Sequence, residues 1–332
     1  YKVKNVFITG GAGYIGSHCA VSLIKNGFKP IIIDNFSNSH KDTIKKLELI
    51  SGKKITFYNV DIRDKKKLKS VFKKHSCYAV IHCAGFKVIS ESVERPISYF
   101  DNNIGSTLSL IECMKEKNVF KIIFSSSAQV YVNPQKLPLK ESGKIGMTKN
   151  PYGNSKYIIE KILMDLAKYD NRWSVRIARY FNPISNHSSG LIKENSKNPS
   201  DNLVPHIVKA AQKKIPILKI FGKNYRTTDG TCIRDYIHVM DLADGHVAMI
   251  KNNRLKKGIK VYNFGTGKGS SVLDVIKSFE KQTKFLIYFR FTKRRKGDVP
   301  ISYCCTKKAF KELNWKAKHS LSQAMMDIKK II

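Results

Sequence analysis

The stretch TGGAGYIGSH, from Thr9 to His18, decides the fold of this 332-residue chain. Residues 3–9 form an apolar run that predicts a short buried strand, and residues 17–26 have the spacing of a helix. Gly27 is placed to end that helix. Residues 30–34 predict a second strand, so strand, glycine turn, helix and strand together predict a βαβ unit.

The three glycines of this turn point to a dinucleotide site. Gly10, Gly13 and Gly16 have the spacing G-x-x-G-x-x-G, which allows a tight turn and a close approach of the backbone to a pyrophosphate at the helix N-terminus. Asp34 ends the second strand, where it can accept hydrogen bonds from ribose hydroxyls, which favours NAD over NADP. An isolated glycine motif could be a merely flexible loop, but the strand–turn–helix–strand–Asp order favours a nucleotide site.

The same alternation continues along the first half of the chain. Further strands are predicted at 54–60, 79–85, 120–124 and 175–181, with helices 102–117 and 152–169 among the segments between them. This order predicts an α/β fold with a Rossmann-like, doubly wound parallel sheet. Ligands of such sheets bind beyond the carboxyl ends of the strands, so we expect one cleft there. The residues at these ends are Asp34, Asp61, Gly85, Ser127 and Phe181.

The sequence changes character after about residue 183. A loop rich in Ser, Asn and Lys at 186–202 precedes a helix at 203–213, a short strand at 217–222 and a polar, hairpin-like stretch at 225–231. A helix near Leu242, a strand at 261–265 and a capped helix from Ser271 follow. We predict an NAD-binding domain over 1–183 and a smaller α/β substrate-binding domain over 184–332, with parts of 234–265 returning to the first.

The segment PYGNSK, residues 151–156, carries the candidate catalytic pair. Pro151 suits the first turn of a helix, which puts Tyr152 and Lys156 four residues apart on one face. The lysine charge is expected to favour the phenolate, and such a phenol can act as a base on a sugar or alcohol hydroxyl. The alternative for an isolated Y-x-x-x-K is an ordinary surface pair.

Composition excludes several classes of protein. Apolar residues make up 42% of the chain, yet no run reaches the roughly 18 residues of a membrane span. The seven cysteines are scattered without C-x-x-C spacing, which argues against disulfides and zinc and for a reducing, cytoplasmic location. No signal-peptide pattern is visible. No metal is expected, and His238 is interpreted as a buried structural histidine.

The net charge of +36 has two interpretations. A nucleic-acid partner is one, and lysines spread over solvated helix faces are the other. The lysines are dispersed, and only residues 293–296 form a dense basic run, so the second interpretation is favoured. No nucleic-acid or membrane partner is expected.

With these features in one chain, the sequence resembles the extended short-chain dehydrogenase/reductases, and within them the UDP-galactose 4-epimerase family. The similarity extends essentially from end to end. The motifs that carry it are TGGAGYIGSH (9–18), DN (34–35), ESVERP (91–96), DNN (101–103), FSSSAQVY (124–131), NPYGNSK (150–156), RYFNP (179–183), RDYIHVMDLADGH (234–246) and GDVP (297–300).

The resemblance implies a role for each matching position. Tyr152 would be the base and acid, Lys156 its charge partner, and Ser127 the hydroxyl that bonds the sugar 4-OH. The residues implied to bind NAD are Gly10, Gly13, Tyr14, Ile15, Gly16, Asp34, Asn35, Asn38, Ser39, Asp61, Ile62, Cys83, Ala84, Gly85, Lys87, Asn102, Tyr152, Lys156 and Tyr180. Those implied to bind the UDP-sugar are Ser127, Tyr152, Phe181, Asn182, Asn202, Leu203, Lys219, Phe221, Arg234, Tyr236, Arg295, Asp298 and Ser302.

The implied activity is the interconversion of UDP-glucose and UDP-galactose by oxidation and re-reduction at sugar C4, in a homodimer. A UDP-uronate 4-epimerase or another nucleotide-sugar enzyme of the superfamily is an alternative. A 4,6-dehydratase would need an Asp-Glu pair after Ser127, where the chain has Ala128-Gln129. An NAD-binding sensor or nucleic-acid binder is the non-enzymatic alternative, although a degraded sensor would be expected to lose Tyr152 or Lys156.

Three positions depart from the family pattern. Ser185 stands where the N-P-x-G motif has glycine, and Val132 stands where glycine usually follows Tyr131. Ser302 stands where members restricted to glucose and galactose usually have tyrosine, and this predicts room for an acetamido group. The chain is therefore also expected to act on UDP-GlcNAc and UDP-GalNAc.

Overall fold

The structure is a computed structural model, and it describes residues 3–132, 136–195, 197, 201–252, 257–295 and 298–332. Its main feature is a seven-stranded parallel sheet covered by helices on both faces, which confirms the predicted doubly wound α/β fold. Lys296 of the basic run and Gly297 of GDVP lie outside the described residues. No helix in the described ranges is long and apolar enough to cross a bilayer.

The strands and helices alternate through the first half of the chain as predicted. The strands are β1 Asn5–Thr9, β2 Lys29–Asp34, β3 Thr56–Asn59, β4 Ala79–His82, β5 Lys121–Ser127, β6 Ser174–Tyr180, β7 Asn182–Ile184, β8 Leu218–Phe221, β9 Ile233–Arg234, β10 Tyr236–His238, β11 Gly258–Phe264, β12 Ser270–Ser271, β13 Phe289–Thr292 and β14 Ile301–Ser302. The helices are α1 Tyr14–Lys25, α2 Asp42–Ser51, α3 Lys65–Lys74, α4 Ile89–Glu94, α5 Pro96–Phe100, α6 Ser106–Glu116, α7 Pro151–Tyr169, α8 Leu203–Ala211, α9 Val239–Lys251, α10 Val272–Thr283, α11 Lys307–Leu313 and α12 Leu321–Lys329.

The strand order of the main sheet fixes where a ligand can bind. It runs β11-β6-β5-β4-β1-β2-β3, so the chain reverses direction across the sheet between β1 and β4. At such a switch point the loops after the two strands part and leave a crevice. Here the loops are the glycine turn after β1 and the Cys83–Gly85 segment after β4.

The two faces of the sheet bury separate apolar clusters, as the period of two along a strand requires. Val6 and Ile8 of β1 face the layer that contains α1 and α9. Phe7 faces the opposite layer, which contains α3, α6 and α7. Both clusters hold the strands rigidly, so the loops at their carboxyl ends have a fixed base.

The second half of the chain contributes to both regions. Helix α9 packs on α1, and β11 pairs with β6 at the edge of the main sheet. The third apolar cluster joins α8, β8, α10 and α12. Small sheets β12-β9-β14, β13-β8 and β10-β7 lie beside it and form the walls of a second cavity.

Three local features differ from the sequence-based expectation or refine it. Residues 225–231 form a turn-rich loop without strands, where a hairpin-like stretch is predicted. The helix predicted from residue 102 begins as a π-helical turn, Asp101–Gly105, that continues into α6. Ser185 has φ +76°, so this serine keeps the left-handed conformation that glycine supplies in the family motif.

Candidate functional site

Every residue implied to bind NAD lines one cavity at the switch point of the sheet. The lining combines the glycine turn, the ends of β2 and β3, the loop after β4, and the first turn of α7. Six further lining residues were not predicted, because they lie in a strand, a helix or loops outside the motifs. They are Ile33, Ser37, Val60, Phe86, Ser106 and Asn195.

The glycine turn is too crowded for side chains. A Cβ on Gly16 would lie 2.3 Å from the Gly10 carbonyl oxygen, and one on Gly10 would lie 2.8 Å from Ala84 Cα. Gly10 also has φ +66°. No side chain caps the N-terminus of α1, so its first turn faces the cavity with backbone N–H groups. This cradle fits a pyrophosphate.

Asp34 organises the loop that follows β2. Its carboxylate accepts hydrogen bonds from Ala12 N at 2.9 Å, Phe36 N at 2.8 Å and Ser39 Oγ at 2.9 Å. A carboxylate has about four lone-pair sites, so it can accept a further bond from a ribose hydroxyl. The position and chemistry therefore fit the adenosine half of NAD.

Asp61 supplies a second fixed negative charge in the same cavity. Hydrogen bonds from Arg63, and one from Asn35 Nδ2 at 3.0 Å, hold the pKa of Asp61 at about 2, although burial opposes them. The Arg63 guanidinium also lies 2.5 Å from Asp101. Asp61 is thus an acceptor at any physiological pH.

Lys87 lies at the junction between the two cavities and lines both. Its Nζ is 2.5 Å from Glu194 Oε1, in the loop that precedes α8. Asn202 Nδ2 donates to the same oxygen at 3.1 Å. These contacts tie Glu194 and Asn202 to the rim of the cofactor cavity.

The structure brings Tyr152, Lys156 and Ser127 together beneath the second cavity. Pro151 is the first residue of α7, and Asn150 caps it through a bond from Gly153 N to Asn150 Oδ1 at 2.8 Å. Tyr152 is 7% exposed and lines both cavities. Ser127 ends β5 and hydrogen-bonds to the Tyr152 hydroxyl.

Burial dominates the electrostatics of the pair. Burial raises the pKa of Tyr152, and only the bond from Ser127 offsets it. Lys156 Nζ donates to the Ser125 carbonyl oxygen at 3.0 Å. Burial lowers the pKa of Lys156 to about 8. Lys156 is not among the causes of the Tyr152 pKa shift, so the lowering of that pKa by Lys156 stays a prediction.

A second cavity of about 850 Å³ adjoins the first. It is lined by every residue implied to bind the UDP-sugar except Ser302. The Arg295 guanidinium lies 4.1 Å from the centre of the Phe221 ring, and Arg234 Nη2 lies 3.4 Å from Asp298 Oδ1. Two guanidinium groups with an aromatic face suit a nucleoside diphosphate.

Ser302 lies in β14, in register with Arg234 of β9, and is absent from the cavity lining. Its carbonyl oxygen accepts a bond from Asp235 N at 3.1 Å. The cavity lining also includes residues that were not predicted as site residues, such as Gln129 and His206. Gln129 follows Ser127 by two positions and could have been found on that ground.

His238 lies outside both linings and caps helix α9, accepting a bond from Met240 N at 3.1 Å. Its ring stacks on His319 at 4.2 Å between centres. Burial lowers its pKa to about 4, so it is neutral near pH 7.

Comparison with known proteins places these cavities in context. Residues 7–328 match the family model described as GDP-mannose 4,6 dehydratase. UDP-glucose 4-epimerase of Haemophilus influenzae is 44% identical over 322 residues, covering 97% of this chain and 95% of that protein.

Two solved structures are also similar. UDP-glucose 4-epimerase from Bifidobacterium longum in complex with NAD+ and UDP has a TM-score of 0.95 and 44% identity, covering 99% of this chain and 98% of that one. The UDP-Glc/GlcNAc 4-epimerase from Campylobacter jejuni has a TM-score of 0.85 and 31% identity, covering 98% of this chain and 99% of that one.

Proposed function

This chain belongs to the UDP-glucose 4-epimerase family of the extended short-chain dehydrogenase/reductases, and we propose that it interconverts UDP-glucose and UDP-galactose with NAD as cofactor. The observation that carries the proposal is the position of Tyr152 in the wall shared by the cavity at the glycine turn and the adjoining cavity of about 850 Å³. A group in that wall can touch a sugar and a nicotinamide at once.

Each catalytic residue has a task that its contacts support. Tyr152 Oη would take the proton from the sugar 4-hydroxyl and later return a proton to the new hydroxyl. Gln129 N donates to Ser127 Oγ at 3.2 Å, which leaves the Ser127 proton free for the Tyr152 oxygen. Lys156 would supply positive charge beneath the site. The chemistry that bound NAD supplies is reversible hydride storage between the two halves of the reaction.

Epimerisation requires the oxidised sugar to present its other face while the nucleotide stays bound. The Arg234 side chain is 17% exposed, Arg295 is exposed, and both line the second cavity. They would hold the diphosphate, and Phe221 would offer its face to the base. Binding energy remote from C4 then keeps the intermediate in place during the turn.

A dehydratase is the main enzymatic alternative, given the description of the matched family model. The position after Ser127 decides against it. Ala128 and Gln129 occupy the 3₁₀ turn there, and neither can move the protons that loss of a C6 hydroxyl requires. The relative from H. influenzae is also an epimerase by name.

The assignment is tested by offering UDP-glucose to purified protein without added NAD and measuring UDP-galactose. We expect turnover, a loss of at least about 100-fold in Tyr152→Phe, and near-normal turnover in Tyr157→Phe on the same helix. No turnover with NAD supplied, or equal effects of the two variants, would contradict the proposal.

A wider substrate range is a separate proposal that depends on Ser302. Because Ser302 lies outside the cavity lining, its support is the small residue at this sequence position and the named activity of the C. jejuni relative. We expect UDP-GlcNAc to be epimerised, and Ser302→Tyr to lose that activity while UDP-glucose turnover persists. An unchanged ratio of the two activities in the variant would reject the role of Ser302.

We also propose the assembly, location and domain division predicted above. Exposed apolar side chains on the helices beside α7, such as Ile97 at 82% and Leu108 at 43%, support a homodimer, which sedimentation equilibrium can measure. All seven cysteines are unpaired, which supports a reducing compartment such as the cytoplasm. The location of the two cavities supports cofactor binding by residues 1–183 and UDP-sugar binding mainly by 184–332.

A further inference from the structure

Three metal-ligating side chains meet behind the wall of the cofactor cavity, and the proposed mechanism uses none of them as ligands. Cys19 lies on α1, Cys83 directly follows β4, and His246 lies on α9. Their two sulfur atoms and one imidazole nitrogen lie within 4.8 Å of one another. Within the described ranges, this is the group of three His, Cys, Asp or Glu side chains whose ligand atoms are close enough to hold one ion.

The imidazole is oriented as a ligand. His246 Nδ1 lies 2.9 Å from the Leu242 carbonyl oxygen, and a carbonyl only accepts, so Nδ1 carries the proton. Nε2 then carries the lone pair and accepts a hydrogen bond from the Ser125 hydroxyl at 2.9 Å, a bond that a metal ion would replace. A backbone carbonyl that fixes the tautomer in this way is the usual support of a metal-bound histidine. Burial lowers the pKa of His246 to about 4, so the ring is neutral near pH 7.

The two thiols differ in how readily they lose a proton, because burial, followed by the contact with Cys83, raises the pKa of Cys19. Cys83 Sγ lies 3.2 Å from Ser125 Oγ and hydrogen-bonds to Cys19. The bond with Cys19, followed by that with Ser125 and the charge of Lys156, lowers the pKa of Cys83 although burial opposes it. Cys83 is partly exposed to the cofactor cavity, which provides an entry path for an ion, whereas Cys19 and His246 are fully buried.

We propose that Cys19, Cys83 and His246 bind a thiophilic divalent cation such as Zn²⁺, and that occupancy inhibits the enzyme. On binding, the two thiol groups lose their protons to solvent, and the ion gains two thiolates and one neutral imidazole nitrogen. Tetrahedral Zn²⁺ accepts such a Cys₂His set with a fourth oxygen ligand, and the Ser125 hydroxyl lies beside both His246 and Cys83.

Inhibition is expected because the three ligands lie next to residues of the active site. This part of the proposal rests on the proposed function. The Ser125 carbonyl oxygen holds Lys156 Nζ at 3.0 Å. Cys83 precedes Ala84, whose backbone packs tightly on Gly10 of the glycine turn. Zn–S bonds of about 2.3 Å would draw the two thiols inward. That movement disturbs both the position of Lys156 and the wall of the cofactor cavity.

Binding is tested with Co²⁺, whose thiolate charge-transfer and tetrahedral d–d absorption report the ligands directly and need no turnover. Purified, phosphine-reduced protein should develop both absorptions at one Co²⁺ per chain, and Zn²⁺ should abolish them. Cys19→Ala and Cys83→Ala should weaken binding by more than about 100-fold. Cys113→Ala, a buried thiol on α6 outside the group, is the matched control and should bind normally.

Two results would overturn the site: no charge-transfer absorption in the wild type, or equal absorption in Cys19→Ala. A Cys19–Cys83 disulfide would also overturn the metal site and would indicate a redox pair instead. It would be seen as a loss of two hydrogens in the mass of the protein, with no cobalt absorption. A cooperative thermal melting transition in Cys19→Ser and in Cys19→Ala would establish that each of these two variants is folded.

Inhibition is tested separately with UDP-glucose as substrate. Zn²⁺ should reduce wild-type turnover by about tenfold or more, EDTA should restore it, and Cys19→Ala should resist the same Zn²⁺ concentration. Equal inhibition of both proteins would overturn the inhibitory role while the cobalt result stands. A cobalt spectrum in a protein without turnover would retain the site and contradict the proposed function instead.

Discussion

At the residue scale, the contact that most constrains the site is the buried ion pair between Glu160 on α7 and Arg179 on β6. Arg179 Nη2 lies 2.7 Å from Glu160 Oε2, and the side chains are 2% and 0% exposed. Ser126 Oγ donates to Glu160 at 2.5 Å, and Tyr131 accepts from Arg179 at 3.2 Å. The pair fastens α7, and with it Tyr152, to the sheet.

Glu160→Gln keeps the shape of the side chain but leaves the Arg179 charge buried without a counter-ion. We expect a loss of about 3–5 kcal/mol in the free energy of unfolding, measured by urea denaturation. The exposed pair Asp170–Arg172 provides the control, and Asp170→Asn should change stability little, since water screens that pair. If both variants lost the same free energy of unfolding, the buried pair would contribute no more to stability than the exposed pair.

The proximity of Tyr152 and Lys156 was predictable from sequence, because a spacing of four residues sets both on one helix face. The state of Tyr152 was not predictable. The pKa shift of Tyr152 depends on its burial and on Ser127, which ends a strand that the local pattern does not place beside α7. The metal-ligand group was missed for a related reason. Residues 19, 83 and 246 have no common spacing, and only the sheet topology brings them together.

At the scale of the element, helix α12 shows how a short segment is stabilised by its ends. Ser320 Oγ accepts from Gln323 N at 3.2 Å, and Ser320 N donates to Gln323 Oε1 at 2.8 Å, which forms a capping box. Ala324, Met325 and Ile328 then pack into the cluster beneath the second cavity.

Ser320→Ala removes this cap and should lower the free energy of unfolding by about 1 kcal/mol. Ser322→Ala is the matched control two residues further on, inside the helix, where alanine is the better helix former. It should leave stability unchanged or raise it slightly in the same urea titration. A larger loss in Ser322→Ala than in Ser320→Ala would contradict the assigned cap.

Element types in the first half of the chain follow from apolar periodicity, and this part of the fold was predicted. The π-helical turn Asp101–Gly105 was not, since nothing in an apolar pattern distinguishes a π turn from an α turn. Asn103 in this turn donates to Ser155 Oγ at 2.9 Å and accepts from Phe86 N at 2.8 Å. The turn thereby links α7 to the loop of the cofactor cavity, a contact that only the folded chain reveals.

At the scale of the whole molecule, the buried histidines make stability depend on pH, and burial lowers the pKa of His187 as well. Burial lowers the pKa of His18 and His82 from 6.5 to about 3, and that of His238 and His246 from 6.5 to about 4. Below pH 6.5 the unfolded chain therefore binds protons that the folded chain does not, so stability falls as pH falls toward 3–4.

Urea unfolding at a series of pH values should thus show the free energy of unfolding decreasing from pH 6.5 downward, with a slope to which His18, His82, His187, His238 and His246 contribute up to one proton each. His82→Gln can retain bonds to Thr9 and Thr107, and it should reduce that slope by one proton. A slope that is unchanged in this variant would mean that His82 titrates equally in both states.

The parallel sheet has a consequence for synthesis. Strand β6, at 174–180, has one edge that is paired only by β11, at 258–264, and α9 arrives on α1 just before it. When only the residues up to 183 have left the ribosome, the nascent chain would therefore expose an unpaired strand edge and the apolar face of α1. The ribosome must deliver some eighty further residues before the cofactor half closes, and in that interval a strand-covering chaperone would protect the chain from aggregation.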